Sequence, residues 1–256
     1  MNGATAAEPL LEVSGLRKAF GGVVAVDDVA FEVAAGEIVA LIGPNGAGKS
    51  TCFNMLMGQL APDAGTIRIL GRETVGLPPR RIWRLGVGRT FQVTATFGSM
   101  TVRENVQVAL LSHHRALRNP WRIAREQFVE LADGLLATVG MQAHADRPSS
   151  VLAYGDLKRL ELAVALANQP RLLLMDEPTA GMGPRERIEL MALTAAIARR
   201  ERTAVLFTEH DMDVVFQHAD RVMVLDRGRL IAAGAPAEVR ADPEVRRVYL
   251  GSRAAR

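Results

Sequence analysis

A glycine-rich stretch that leads into a lysine and a serine is the strongest chemical feature of this sequence. Residues 43–50 are Gly-Pro-Asn-Gly-Ala-Gly-Lys-Ser and match the pattern G-x-x-x-x-G-K-[ST]. Glycines let such a loop turn tightly and bring backbone N–H groups against phosphate oxygens, and the N-terminus of a following helix favours negative charge. The stretch therefore predicts a binding site for a nucleoside triphosphate.

The sequence on both sides of this loop supports the same interpretation. The apolar run Ile38–Ile42 suits a buried strand, and residues 51–57 suit a helix that ends at Gly58. We expect Lys49 to reach the β- and γ-phosphates and the Ser50 hydroxyl to bind Mg²⁺. The alternative, a glycine-rich turn that holds a lysine by chance, leaves both flanks unexplained. The predicted nucleotide-binding residues of this stretch are Gly43, Asn45, Gly46, Gly48, Lys49, Ser50 and Thr51.

Two adjacent carboxylates follow a second apolar run. Asp176 and Glu177 come directly after residues 172–175, which are Leu-Leu-Leu-Met. A phosphate loop requires a carboxylate to hold Mg²⁺, and an Asp at the end of a buried strand is its usual source. Glu177 is then placed to polarise water as a general base, a role that contributes about 10²–10⁴-fold to a rate. A merely polar strand end is the alternative for this pair.

Two further polar residues follow strand-like runs in the same way. His210 comes after the run Ala204–Thr208, and Gln92 ends the run that begins at Gly88. In a doubly wound sheet, ligands lie at the carboxyl ends of the strands. We therefore expect His210 to donate to the γ-phosphate and Gln92 to reach Mg²⁺ or the attacking water. The predicted catalytic residues are Glu177, His210 and Gln92, and the predicted metal ligands are Ser50, Gln92 and Asp176.

The elements that must position these residues alternate between strands and helices. Short alternating runs between Leu10 and Leu70 predict an early β layer over one end of a parallel sheet. A capping box at Thr101 and Glu104 predicts a helix through Leu111, followed by His113 and His114 in a loop. Periodicity predicts a second helix over residues 121–139, with one apolar side formed by Ile123, Phe128, Leu131, Leu135 and Leu136.

These elements predict one α/β domain over residues 1–256. Residues 8–92 and 166–235 form its nucleotide-binding α/β core, residues 93–165 a helical subdomain, and residues 236–256 a C-terminal helical tail. The adjacent His113 and His114 do not predict a metal site, since neighbours in sequence point in different directions and no acidic or Cys partner lies near them in the sequence.

Composition limits the remaining possibilities. The 256 residues carry a net charge of +3 and are 48% hydrophobic, which is enough for a sizeable core. The single Cys52 excludes an internal disulfide. No stretch approaches the ~18 consecutive apolar residues of a membrane span, so if the protein serves a membrane, we expect other chains to cross it.

The segment from Leu152 to Asp156 resembles the signature of ATP-binding cassette (ABC) transporters. Its residues are Leu-Ala-Tyr-Gly-Asp, where the family usually has Leu-Ser-Gly-Gly-Gln, and the resemblance spans nearly the whole chain. It implies a P-loop NTPase fold of the ABC ATPase type, with an N-terminal antiparallel β layer and a helical signature subdomain. It also implies ATP and Mg²⁺ as ligands and an ATP-sandwich dimer.

The resemblance assigns further roles to single residues. Ala153, Tyr154 and Gly155 would cap the γ-phosphate held by the opposite subunit, and Phe20 would stack on adenine; a Phe in the core at a strand end is the alternative for Phe20. Gln92 matches the Q-loop, His210 the switch histidine, and residues 180–183 the D-loop. The chain departs from the family pattern at Ala153, Asp156 and Gly183, where Ser, Gln and Asp are usual.

Several segments resemble a narrower subfamily, the ATP-binding subunits of high-affinity branched-chain amino-acid importers. They are residues 20–22, 89–92, 100–105, 153–155, 209–212 and 248–251. This implies a subunit that hydrolyses ATP to energise import, at the cytoplasmic face of the inner (plasma) membrane. Its implied partners are transmembrane permease subunits, a paralogous ATPase subunit or a second copy, and indirectly a periplasmic binding protein, with no nucleic acid. Lipopolysaccharide export, urea or amide uptake, and a soluble non-transport ABC ATPase remain the alternatives.

Overall fold

The computed structural model describes residues 9–90, 96–114 and 126–251. Its strands are β1 (Leu11–Phe20), β2 (Val23–Val33), β3 (Ile38–Ile42), β4 (Ala64–Ile69), β5 (Arg72–Glu73), β6 (Val87–Thr90), β7 (Leu172–Asp176), β8 (Ala204–Thr208), β9 (Arg221–Asp226) and β10 (Arg229–Gly234). Its α-helices are α1 (Lys49–Leu56), α2 (Pro79–Arg84), α3 (Val102–His113), α4 (Val129–Thr138), α5 (Tyr154–Leu166), α6 (Pro184–Glu201), α7 (Met212–His218), α8 (Pro236–Ala241) and α9 (Pro243–Gly251).

A six-stranded sheet in the order β10-β9-β3-β8-β7-β6 positions the predicted site. Its strands are parallel except for β10, which pairs antiparallel with β9. The side chains of β3 and β8 are buried throughout, as the short apolar runs in the sequence predict. Because β3, β7 and β8 run in the same direction, the residues that follow them meet at one edge of the sheet.

A four-stranded antiparallel sheet in the order β2-β1-β4-β5 forms a second layer. Leu11 and Val13 alternate into the core along β1, and Leu16 is also buried after an irregularity in the register between Val13 and Leu16. The turn between β1 and β2 lies at Gly21 and Gly22. The α/β class with an N-terminal antiparallel layer is therefore confirmed.

The core consists of two apolar clusters, one on each face of the six-stranded sheet. Along β3, Val39 and Leu41 point into a cluster shared with α1 and the antiparallel sheet. Ile38, Ala40 and Ile42 point the other way, into a cluster shared with helices α3 to α9. Because successive side chains of β3 point to opposite faces, this strand packs into both clusters, and it leads directly into the glycine-rich loop.

The helical segment differs from its prediction in three places. The second helix, predicted over residues 121–139, covers only Val129–Thr138 within the described residues 126–139. His113 is the last residue of α3 and does not lie in a loop. Leu131, expected on the buried side of the second helix, is 51% exposed, whereas Ala132 and Leu136 are fully buried. Phe128 and Leu135 pack against the same cluster as Leu136, as predicted, although Phe128 has a φ of 59° and precedes the first residue of α4. Ile123 lies outside the described residues.

The capping box of α3 forms as predicted. The Glu104 backbone N–H donates to the Thr101 hydroxyl, and the Thr101 backbone N–H donates to the Glu104 carboxylate. Among the residues that the structure describes, no helix is both long and apolar enough to cross a membrane.

Candidate active site

The glycine-rich loop joins β3 to α1, and its backbone is too closely packed for side chains at two positions. Gly43 has a φ of 157°, and a Cβ there would lie 2.1 Å from the Leu225 carbonyl oxygen. Gly48 has a φ of 105°, and a Cβ there would lie 2.3 Å from the Ala25 carbonyl oxygen. Backbone atoms cannot move aside cheaply, so both positions require glycine. The loop is therefore held by β9 on one side and by β2 on the other.

Lys49 lies at the first turn of α1 with only 7% of its surface exposed. Its Nζ donates to the carbonyl oxygens of Gly43 at 2.7 Å and Pro44 at 3.0 Å, so the side chain folds back over the loop. Burial lowers the pKa of Lys49, and the charges of Glu177 and Asp176 act in the opposite direction. The negative charges of Asp176 and Glu177 thus favour the charged form of the Lys49 ammonium group. Ser50 follows it at an exposed position.

Asp176 and Glu177 are held by a buried threonine on the neighbouring strand. Asp176 pairs with Thr208 in the register of β7 and β8. The Thr208 hydroxyl donates to Asp176 Oδ1 at 2.7 Å and accepts from the Glu177 backbone N–H at 2.9 Å. Glu177 has a φ of 48°, a left-handed conformation that costs energy for a residue other than glycine. One hydroxyl therefore fixes one carboxylate directly and the backbone of the other.

His210 reaches Glu177 across the edge of the sheet. Its Nε2 lies 2.8 Å from Glu177 Oε1, and the two side chains are 47% and 21% exposed. Both line an open cleft of about 540 Å³ that also includes Thr179, Arg187 and Asp211. The contact is therefore accessible to a ligand.

A buried carboxylate connects the two segments that carry these residues. Glu209 is 4% exposed, and its Oε1 accepts from the Thr179 backbone N–H at 2.9 Å and from the Thr179 hydroxyl at 2.5 Å. Its Oε2 accepts from the His210 backbone N–H at 3.0 Å. Sequence reasoning did not find Thr208, Thr179 or Glu209 as site residues. The only signal in the sequence is that Thr208 and Glu209 come directly before His210, at the end of the apolar run that forms β8.

The residues predicted from the signature lie at the start of α5. Ala153 is the exposed N-cap, and it supplies no side-chain bond to the helix. Tyr154 is 42% exposed, and its ring lies against Gly181, where a Cβ would come within 3.2 Å of the ring. Gly155 is buried beside the carboxylate of Glu186. The signature segment thus contacts the segment after β7 within the same chain.

Phe20 and Gln92 are two further residues of the predicted site. Phe20 ends β1 and is 48% exposed, with Lys18 Nζ 5.6 Å from the ring centroid, so it is not a core residue. Gln92 lies outside the described residues. The structure brings together Lys49, Asp176, Glu177 and His210.

A parallel sheet with a G-x-x-x-x-G-K-[ST] loop after β3 and carboxylates at the end of β7 defines a P-loop nucleotide-binding protein. Comparison with known families narrows this class. The model of the ABC transporter family matches residues 26–180, and that of the branched-chain amino acid ATP-binding cassette transporter matches residues 229–255. The chain belongs to the ABC transporter family, as an ATP-binding protein.

Individual relatives cover nearly the whole chain. The high-affinity branched-chain amino acid transport ATP-binding protein LivG of Salmonella typhimurium is 44% identical over 95% of this chain and 98% of its own length. BraF of Pseudomonas aeruginosa, with the same description, is 41% identical over 95% and 98%. The lipopolysaccharide export system ATP-binding protein LptB of Acidithiobacillus ferridurans is 35% identical over 94% and 97%.

Solved structures agree with this assignment. The ADP conformation of an ATP-binding cassette of an ABC transporter superimposes with a TM-score of 0.85 at 29% identity, over 95% of this chain and 99% of that chain. A nucleotide-free ATP-binding cassette superimposes with a TM-score of 0.83 at 29% identity, over 94% and 98%.

Proposed function

We propose that this chain binds ATP with Mg²⁺ and hydrolyses ATP to energise an importer of branched-chain amino acids. The observation that carries the proposal is the meeting of Lys49, Asp176, Glu177 and His210 at the carboxyl edge of the sheet. The names of LivG and BraF and the match of the tail to the branched-chain family model support the substrate class.

The site residues fit a nucleotide with a divalent cation. Backbone N–H groups of the loop and Lys49 bind the phosphates, and the exposed Ser50 hydroxyl and Asp176 supply oxygen ligands of the kind that Mg²⁺ prefers. Gln92 is the third proposed ligand. When bound, Mg²⁺ supplies positive charge that neutralises the phosphate oxygens. Thr208 holds one oxygen of Asp176 and thereby orients the other.

Glu177 accepts a proton from the attacking water in this proposal. Its Oε1 lies against His210, so the imidazole orients the carboxylate and lies where it can contact the γ-phosphate. The left-handed backbone at Glu177, supported by Thr208, turns the side chain out of the line of β7 toward the cleft.

Two variants test the nucleotide site. Lys49→Ala is expected to abolish binding of a fluorescent ATP analogue at micromolar concentrations, with an unchanged circular dichroism spectrum as the control for folding. Glu177→Gln is expected to bind the analogue normally and lose steady-state turnover, because an amide accepts no proton at this step. Near-normal affinity in Lys49→Ala, or wild-type turnover in Glu177→Gln, would contradict the assignment.

We also propose an ATP-sandwich dimer with a paralogous ATPase subunit or a second copy, docked on transmembrane permease subunits at the cytoplasmic face of the membrane. The exposed Ala153 and Tyr154 at the start of α5 support a role toward a nucleotide on the partner. Sizing of Glu177→Gln with ATP, with and without the paralogous subunit, tests this proposal. A tight self-dimer that excludes the paralogue would exclude the heterodimer.

Lipopolysaccharide export is the second candidate function, favoured by the similarity to LptB. Uptake of labelled leucine at submicromolar concentration, in cells that lack this chain and any redundant leucine transporter, separates the two. Loss of uptake is expected for the importer. Unchanged uptake would overturn the substrate class and leave the ATPase proposal intact.

A further inference from the structure

A buried carboxylate bridges the two chain segments that carry Glu177 and His210. Glu209 is 4% exposed, and it lies 30 residues along the chain from Thr179, to which it bonds. Its Oε1 accepts from the backbone N–H and from the hydroxyl of Thr179, at 2.9 and 2.5 Å, and its Oε2 accepts from the His210 backbone N–H at 3.0 Å. One side chain therefore ties the segment after Glu177 to the residue that contacts Glu177.

The residue before Glu209 makes a second bridge between the same segments. Thr208 accepts from the Glu177 backbone N–H at 2.9 Å, so Thr208 and Glu209 hold the neighbouring segment at two points. The side chains of the two segments meet where His210 Nε2 lies 2.8 Å from Glu177 Oε1. The imidazole thus reaches the proposed general base from a backbone that Glu209 holds.

The residue after His210 is held independently of Glu209. Asp211 caps α7, because its Oδ1 accepts from two backbone N–H groups of the first turn of that helix. Its Oδ2 accepts from Arg187 Nη1 of α6 at 2.9 Å. Loss of the bond to Glu209 would therefore free the backbone of His210 on its N-terminal side while α7 stays attached to α6.

We propose that Glu209 is a positioning residue for ATP hydrolysis, which holds the His210 backbone so that the imidazole meets Glu177. The inference rests on the proposed function, in which Glu177 accepts a proton from water and His210 contacts the γ-phosphate. The bridge requires both oxygens of Glu209 to accept hydrogen bonds.

A glutamine at this position cannot keep both halves of the bridge. It has one acceptor oxygen, and its amide nitrogen only donates, so one of the two segments meets donor against donor. Thr179 donates twice and His210 once, so we expect the oxygen to stay at Thr179 and the amide to face His210. Glu209→Gln therefore loosens His210 selectively.

The full chain carrying Glu209→Gln tests the inference. We expect kcat to fall about tenfold, since a misplacement of roughly 1 Å can cost on the order of 10²-fold. The Kd of a fluorescent ATP analogue is expected to stay within twofold of the wild type, because the phosphate loop is untouched. The imidazole Hε1 resonance of His210, followed by NMR without nucleotide, is expected to move. Either a kcat within twofold of the wild type or an unmoved His210 resonance would overturn the inference.

Glu37→Gln is the matched control, because Glu37 is a bridging carboxylate at the opposite end of the sheet. It accepts from the Ala34 backbone N–H at 2.8 Å and from Arg221 Nε at 2.7 Å, directly before β3 begins. This variant is expected to lower Tm, as Glu209→Gln does, and to leave kcat within twofold of the wild type. An equal loss of kcat in both variants would show an effect of stability alone and would overturn the inference.

Thr179→Val tests the same bridge from its other end if Glu209→Gln does not fold. It removes the hydroxyl that donates to Glu209, so kcat is expected to fall and the His210 resonance to move. Thr194→Val is its control, since this buried threonine donates within α6 to the Leu190 carbonyl at 2.9 Å. Equal kcat in these two variants would overturn the inference. Absent ATP binding in the wild type, with a moved His210 resonance in Glu209→Gln or Thr179→Val, would instead refute the proposed function.

Discussion

At the scale of single residues, Thr208 decides how the two carboxylates after β7 are presented. It is completely buried, bonds the Asp176 carboxylate, and accepts from the Glu177 backbone N–H in its left-handed conformation. A strained backbone costs on the order of 1–3 kcal/mol and persists only where neighbours support it. The proposed general base therefore depends on a residue that touches neither water nor nucleotide in the proposed mechanism.

Thr208→Val is expected to keep the fold and lower ATP turnover by about 10- to 100-fold, since a misplacement of roughly 1 Å can cost on the order of 10²-fold. Steady-state turnover and thermal unfolding measure the two effects separately. Thr203→Val is the matched control: this threonine is also buried beside β8 and donates to the Pro170 carbonyl, at the opposite end of the strand. Equal loss of turnover in both variants would contradict the role of Thr208.

Cys52 gives a second prediction at this scale. Its thiol is fully buried in α1, and burial raises its pKa to about 12, from an ordinary value of 9.0. The neutral thiol favours the fold below pH 9.0, and this contribution is lost as the pH rises through about 12, because the unfolded chain ionises first. As the only cysteine, it gives an unambiguous signal.

We therefore expect Cys52 to be unreactive toward a thiol reagent such as Ellman's reagent at pH 8 in the folded protein, and to react at once in urea. The thiolate is the reactive species, and burial both disfavours ionisation of the thiol and keeps the reagent away from the sulfur. Stoichiometric labelling of the folded protein within minutes would contradict the buried placement of α1.

At the scale of elements, the sequence predicts strands and capped helices well where the signal is local. The apolar runs of β3, β7 and β8 and the capping box of α3 lie within a few residues of the predicted positions. On α4, Leu136 is buried and Leu135 packs against the core as the periodicity predicts, whereas Leu131 is exposed, because periodicity places the apolar side only approximately. The bond from the Thr208 hydroxyl to Asp176 joins residues on two different strands, and only the folded chain brings them together.

The capping box permits a test of how much one local signal contributes. Thr101→Ala is expected to lower the free energy of unfolding by about 0.5–2 kcal/mol, because the Glu104 backbone N–H loses its partner. Thr101→Ser keeps the hydroxyl and is expected to lie within about 0.5 kcal/mol of the wild type. Urea unfolding followed by circular dichroism measures both; a Thr101→Ala variant as stable as Thr101→Ser would show that the cap contributes nothing.

At the scale of the whole molecule, one apolar cluster contains residues from both the predicted α/β core and the predicted helical subdomain. Val102 of α3, Leu136 of α4 and Leu160 of α5 belong to the same cluster as Ile42 of β3. Through Ile42 the helices pack against the strand that ends at the phosphate loop. We therefore expect helices α3, α4 and α5 to unfold together with the sheet, although the sequence predicts a separate helical subdomain.

Leu136→Ala tests that expectation against Leu131→Ala on the same helix. Leu136 is fully buried and Leu131 is 51% exposed, so truncation is expected to cost about 2–5 kcal/mol at the first position and under about 0.5 kcal/mol at the second. Circular dichroism reports the helices, and labelling of Cys52 in urea reports the cluster on the opposite face of the sheet. If the molecule unfolds as one unit, Leu136→Ala lowers both urea midpoints equally; a shift confined to circular dichroism would show that the helical segment unfolds by itself.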